Sequence, residues 1–180
     1  MSGEYILANN DMKGLRIIDY PDPRLRKRCE PVEHFDAKLA GLAERMLELM
    51  RAEKGVGLAA PQVGVLLQLF VCNISGEADD DRVVVNPELT DLEGNQVGEE
   101  GCLSIPDVTV DVHRAKRCVL IARDLRGRPI RIEGVDLAAR CWQHEVDHLH
   151  GRLILDKMSE SDKIANRKQL KKLEAAFKKR

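Results

Sequence analysis

With 180 residues, 43% hydrophobic and 33% charged, the chain suits a single soluble globular domain that can bury a core without covalent staples. Aromatic residues make up 3%, too few for a single-stranded nucleic-acid stacking platform, and no apolar run nears the ~18 residues of a membrane span. The net charge of −1 hides a divided chain, since residues 163–180 hold eight Lys/Arg and one Glu (+7) on a body of −8.

Met1 to Lys13 lack the apolar core of a signal peptide. Residues 1–14 read as a loose extension, 15–158 as the folded domain and 159–180 as a basic helix or tail. Leu15–Tyr20 reads as a short strand ended by Pro21-Asp22-Pro23. Asp36 is placed to cap a helix over 37–53, where Leu39, Leu42, Met46, Leu49 and Met50 recur at helical spacing, with Gly55 as the stop. Strands are expected at Leu66–Ile74, Arg82–Asn86, in Pro87–Val97 around a turn at Glu93-Gly94-Asn95, and at Val108–Val112. Arg117–Asp124 and Pro129–Glu133 flank a hairpin turn at Leu125-Arg126-Gly127. Asp136 is expected to cap a helix over 137–149 that ends at Gly151. Ser159 should cap the last helix, with Ile164, Leu170, Leu173 and Phe177 as its apolar stripe. Helices segregated from a run of strands read as α+β.

The penultimate helix carries His144-Glu145-Val146-Asp147-His148. Positions i and i+4 share a helix face, so both imidazoles can reach one metal ion, and Glu145 lies close enough to touch a water there. This is the H-E-x-x-H pattern of metal-assisted hydrolysis; the bland alternative is two surface histidines on an amphipathic helix. A catalytic metal site usually has three protein ligands. Cys102, in the tight polar segment Glu99-Glu100-Gly101-Cys102-Leu103-Ser104, is either that ligand or an inert thiol. Cys29, Cys72 and Cys118 read as buried thiols, and His34, His113 and His150 as surface or structural. Five cysteines, an odd number without close pairing (Cys141 is the fifth), indicate a reducing compartment and a cytoplasmic protein.

Three segments carry a resemblance: Gly55-Val56-Gly57-Leu58-Ala59-Ala60-Pro61-Gln62, Glu100-Gly101-Cys102-Leu103-Ser104 and Gln143-His144-Glu145-Val146-Asp147-His148. In order and spacing they resemble the three signature motifs of the peptide deformylase family, over about residues 15 to 158. The resemblance implies mixed antiparallel β-sheets around a central metal-binding helix, with a long N-terminal helix and a C-terminal helix. It implies that Cys102, His144 and His148 bind one divalent metal, Fe(II) by preference, with zinc, nickel or cobalt accepted. Glu145 would be the general base, while the Gln62 side chain and the Leu103 backbone N–H would steady the carbonyl oxygen.

The implied substrate is the N-formyl-methionyl end of a new polypeptide, bound extended beside Val56 and Gly57. Leu58, Gly101, Leu137 and Cys141 complete the implied binding set, with Leu103 and the edge of His144 also facing the methionine. Glu100 and Arg114 would pair to hold the Cys102 loop, and Asp147 would act as an acceptor behind the ligands. Many relatives carry a bulky or basic residue near Thr109, where this chain has a small one. The basic end suits ribosomal RNA, and nothing points to a membrane or to specific DNA. Two other readings are a different metallohydrolase, such as a peptidase, and a non-catalytic metal- or peptide-binding module. The presence of both Glu145 and Gln62 argues against the latter, since binding alone needs neither.

Overall fold

The computed structural model describes residues 12–77 and 79–179. Seven strands form the frame: β1 (Gly57–Ala59), β2 (Leu69–Cys72), β3 (Arg82–Glu93), β4 (Gln96–Cys102), β5 (Ile105–Arg114), β6 (Arg117–Arg123) and β7 (Pro129–Val135). Five of them pair antiparallel in the order β1-β2-β3-β6-β7, and β4 with β5 makes a separate antiparallel ribbon. Helices α1 (Ala37–Ala52), α2 (Leu137–Leu149) and α3 (Glu160–Phe177) pack on this frame. The arrangement is the expected α+β one, with α2 lying against β1, β2 and β7.

Most of the N-terminal extension expected at 1–14 lies outside the described residues. Within them, Met12–Gly14 form a 3-10 turn, with Met12 against the core beneath α1. Leu15–Tyr20 departs from expectation, being extended but in no ladder. Its donors go to two separate segments, Ile18 N–H to Gln62 O in the 3-10 turn Ala60–Val63 and Tyr20 N–H to Ser104 O, both at 2.8 Å. The strand expected at 66–74 is confined to Leu69–Cys72 because Leu66 and Gln68 bond instead to Glu30. Arg82–Glu93 is one long strand. It carries Pro87 through a register break between Val85 and Glu88, the kind of irregularity at which a strand tolerates a missing donor.

Helix α1 begins where expected, with the Asp36 carboxylate accepting from the N–H groups of Lys38 and Leu39 at 3.0 Å. Its end differs in detail. Lys54, at φ 55°, is the left-handed residue, and Gly55 N–H closes the turn on Met50 O while Lys54 N–H bonds Arg51 O. Gly55 is needed for space: a Cβ there would lie 2.7 Å from Leu103 Cδ1. Thus the end of α1 and the Cys102 loop approach closely through a missing side chain.

Helix α2 occupies the predicted span. Asp136 sits at its N-cap position, but at φ 49° its side chain makes no capping bond. Gly151, at φ 71°, ends the helix as expected, with Gly151 N–H on His148 O and Arg152 N–H on Asp147 O. Trp142 seats α2 against the sheet. Its ring covers Gly134 on β7, where any Cβ would enter the ring. Ser159 caps α3, reciprocated by Asp162. Leu170 and Leu173 face the core around β5, but Ile164 is 76% exposed and lies outside the expected stripe. Asn166 and Gln169 fasten α3 by donating to Thr109 O and Pro106 O, each at 2.9 Å.

Candidate metal centre and active site

Two elements bring the histidines and the thiol together. On α2, His144 and His148 face the β4–β5 ribbon, which carries Cys102 at the end of β4. Cys102 Sγ lies 3.3 Å from His148 Nε2, which is 3.1 Å from His144 Nε2. All three ligand atoms fall within 4.8 Å of one another. Protonated, these groups can hydrogen-bond to one another; deprotonated, one thiolate and two imidazoles aim their lone pairs at one point. The donor set therefore fits a divalent metal, with the ligands losing protons as it binds.

Without a metal, protons link these groups instead. Burial opposes charge on His144, but hydrogen bonds to Cys102 and Glu100 and the charge of Glu145 outweigh it and hold its pKa well above the ordinary range. Burial and the charges of His144 and Arg114 put His148 well below its ordinary value. The other cysteines have no such setting. Cys29, Cys72 and Cys118 are buried, and burial pushes Cys29 up to about 12 and Cys118 to about 11.

Glu145 sits one position round the helix from His144, on the side facing β1. Burial pushes its carboxyl up to about 7, and Oε2 is enclosed without a hydrogen-bond partner among the described residues. A Cβ on Gly57 would overlap this carboxylate and come within 2.9 Å of Cys141 Sγ. Gly57→Ala is thus expected to displace Glu145. The overpacking should cost about 1–3 kcal/mol of stability, and the misplaced carboxylate about 10²-fold in kcat. Thermal unfolding and turnover of the same preparation would measure both. A fully active alanine variant would show that Glu145 has room to spare.

Glu100 is the hub behind the ligands. It accepts from Arg114 Nε and Nη2 at 2.9 Å each and from Arg140 Nη1 at 2.8 Å, and its Oε2 is 3.0 Å from His144 Nδ1. Burial would raise its pKa, but the bonds from Arg114 and His144 outweigh this and hold it at about 2. A carboxylate on Nδ1 fixes the His144 ring with Nε2 toward the ligand cluster. Arg114 also reaches Asp147 Oδ2 at 2.5 Å, so Asp147 braces the network through Arg114. Gln143, from the same motif, clasps both backbone groups of Ala115 at 3.0 Å and ties α2 to the strand junction.

The Gln62 amide is oriented by its neighbours. Its Oε1 accepts from Ala59 N–H at 2.8 Å, which turns Nε2 toward Ser104 Oγ at 3.3 Å and Cys102 Sγ at 3.5 Å. A cleft of about 440 Å³ opens over these groups, lined by Val56, Gly57, Gln62, Gly101, Cys102, Leu103, Thr109, Leu137, Arg140, Cys141, His144 and Glu145. Leu58 departs from its expected place. It is fully buried in the core under α1, because alternation along β1 turns it away from the face Gly57 presents. Arg140 and Ser104 were not assigned from sequence. Arg140 stands four residues before His144 on the same face, a spacing that could have revealed it.

Comparisons with known proteins show the family. A family model described as polypeptide deformylase matches residues 15–164. A peptide deformylase from Alkalilimnicola ehrlichii is 46% identical over 160 residues, spanning 88% of this chain and 90% of its own. The crystal structure of a peptide deformylase from Legionella pneumophila matches with a TM-score of 0.85 at 41% identity, over 92% of this chain and 98% of that one. One from Plasmodium falciparum matches with a TM-score of 0.87 at 34% identity, over 91% and 97%. On these matches the chain belongs to the polypeptide deformylase family.

Proposed function

We propose that this protein hydrolyses the N-formyl group from the formyl-methionyl end of newly made polypeptides and releases formate. The observation that carries the reading is the cleft in which a Cys-His-His ligand triangle, the Glu145 Oε2 that no described residue engages and the oriented Gln62 amide all converge. Bound by Cys102, His144 and His148, a divalent metal would polarise a carbonyl and make water nucleophilic near neutral pH. Glu145 takes the proton from the attacking water on Oε2 and returns it to the departing amine. The Gln62 NH₂, joined by Leu103 N–H, donates to the carbonyl oxygen as it gains charge. The peptide lies along the open edge of β1, with the methionine side chain among Leu103, Leu137 and Cys141.

Formate release from a formyl-methionyl peptide, run beside an endopeptidase assay, tests the reading. Peptide cleavage without formate release would favour the peptidase alternative. One thiolate and two imidazoles suit Fe(II), zinc, nickel and cobalt alike. The family resemblance puts Fe(II) first, and anaerobic purification with metal analysis and turnover on one sample tests that assignment.

We take 15–158 as the catalytic unit, with 159–180 as a helix docked on it, and place the protein in the cytoplasm, where its five free cysteines stay reduced. No helix among the described residues is long and apolar enough to cross a membrane. The outer face of α3 would make a weak, salt-sensitive contact with ribosomal RNA. Truncation would expose the face of Leu170 and Leu173 as well as removing charge, so substitution is the cleaner test. Replacing exposed Lys163, Arg167, Lys168, Lys171 and Lys172 with Gln should weaken ribosome binding and flatten its salt dependence. Unchanged affinity would sink the contact.

A further inference from the structure

We propose that the free edge of β7 is a self-pairing surface, on which two copies of this chain join antiparallel about Ile132 and fuse their five-stranded sheets into one symmetric dimer. The inference stands apart from the deformylase reading above.

Strand β7 lies at one end of the strand order and pairs only with β6. Hydrogen-bonded pairs alternate along an antiparallel ladder. Just beyond one end of this ladder Asp124 N–H bonds Arg128 O at 2.9 Å, and just beyond the other Asp136 N–H bonds Lys116 O at 2.8 Å. Counting inward by twos from both, Ile130, Ile132 and Gly134 turn their backbone groups toward β6. Arg131, Glu133 and Val135 turn theirs outward, with Pro129 adding a carbonyl, and no described residue bonds them. The edge is seven residues long, against three for β1, and a free edge of that length is a template for another strand.

The side chains select the occupant. Arg131 and Glu133 flank Ile132 and are both exposed on the outer face of the sheet. An antiparallel partner centred on Ile132 sets Arg131 opposite the partner's Glu133, and the two-fold axis repeats the pair with the roles exchanged. Two residues is the smallest slip that keeps the outward backbone groups facing each other. Such a slip sets Arg131 against the partner's Arg131, or Glu133 against the partner's Glu133. Opposite charges directly across a sheet stabilise it and like charges destabilise it, so the charges favour the central register and oppose its neighbours. They also continue a pattern within the chain. Across the outer face Glu93, Arg117 and Glu133 alternate in sign, with Arg117 bonding the two carboxylates at 2.9 Å and 2.7 Å. The partner's Arg131 is the next cation in that row.

The inner face supplies apolar cover. Ile130 and Ile132 pack on the core cluster that holds Trp142, yet both are only half-buried. At the axis Ile132 meets the partner's Ile132 as a non-hydrogen-bonded pair, the type in which side chains come closest. Arg131 and Glu133 exchange backbone bonds with their opposites, and Val135 N–H reaches the partner's Pro129 O, for about six bonds in all. The two-fold axis makes the contact self-limiting. Both β7 edges are consumed, assembly stops at two copies, and β1 stays at the outer ends of the joined sheet.

Sedimentation equilibrium of the full chain, from about 1 μM to about 0.5 mM, tests the proposal. A strand-edge contact of this size belongs with the weak interfaces, so dimer should appear within that range. Arg131→Glu should raise the dimer dissociation constant at least about tenfold, because it replaces both attractive pairs with repulsive ones. Glu133→Arg should do the same. Combining the two substitutions in one chain restores both pairs with their signs exchanged, and should bring dissociation back to within about threefold of the wild type. Mixing the two single variants should yield a heterodimer that neither forms with itself. Glu133→Arg also breaks the pair with Arg117, whereas the ion pair given for Arg131 is an exposed one with Asp91 at 3.6 Å. Arg131→Glu therefore decides the matter alone if the variants at Glu133 do not fold. A wild-type chain that stays monomeric throughout the range overturns the proposal. So does a dimer indifferent to Arg131→Glu, a folded double variant that stays as weak as the single ones, or an assembly that grows past two copies.

Discussion

Glu145→Gln should retain its metal and lose about 10²–10⁴-fold in turnover. The three ligand atoms belong to Cys102, His144 and His148, so the substitution leaves the donor set intact. What it removes is the group that can take and return a proton, a function worth that order of magnitude. Elemental analysis and formate release on one preparation would show both. Full activity would mean that the proton goes elsewhere.

A second readout accompanies it. In the metal-free protein, burial holds the Glu145 carboxyl at about 7, against an ordinary value near 4.5. Between those values the folded state binds the proton more tightly than the unfolded state, so stability falls as pH rises through the window. The full effect above pH 7 is of order 3 kcal/mol. A neutral glutamine abolishes that fall. The metal-free variant should therefore match the wild type near pH 4.5 and exceed it in stability at pH 8, as read by urea unfolding.

Arg114→Ala should cost about 3–5 kcal/mol of folding stability, because it leaves Glu100 buried without its main partner. The side chains of Arg114 and Glu100 are 4% and 5% exposed, so water cannot replace the lost bonds. Asp147 loses its short contact at the same time, although Lys157 at 3.4 Å and Arg152 at 3.8 Å still attend it. Urea unfolding with a chelator present keeps metal binding out of the comparison. A loss below about 1 kcal/mol would mean that Arg140 alone satisfies Glu100. Metal affinity should fall as well, since Glu100 orients His144, and losses of 10–100-fold are typical when such supporting groups go.

The sequence revealed those parts of the site that depend on local spacing. His144 and His148 share a face because a helix repeats every 3.6 residues, and the span of α2 was readable from Asp136 at its start and Gly151 at its end. Three motifs in register named the family and with it Cys102 and Gln62. Groups set by contacts between distant segments were harder to place. The Leu15–Tyr20 segment has strand-like residues, but its bonding partners, Gln62 and Ser104, belong to two distant segments that no local pattern brings together. Gly55 looked like a helix stop. Its real constraint is the Leu103 side chain 48 positions downstream. Asp136 has good capping chemistry, but its backbone conformation turns the carboxylate away from the helix. Leu58 is different, because no strand was read at this segment, and only the observed strand β1 turns its side chain into the core.

Strand β1 has one further consequence. It stands at the end of the five-stranded order, bonded to β2 on one side, and is only three residues long. An enzyme that must grip nascent chains of any sequence needs an open strand edge, and nascent chains are rich in unsatisfied strands seeking such an edge. A long edge would recruit them into growing sheets. Gly57–Ala59 offers a few backbone bonds and then turns into the 3-10 segment Ala60–Val63, whose Pro61 has no N–H to donate. On the proposed binding mode, the grip would thus be limited in length. It would hold the first residues of one chain but be too short to seed a stack, which suits a protein that must release each client and take the next.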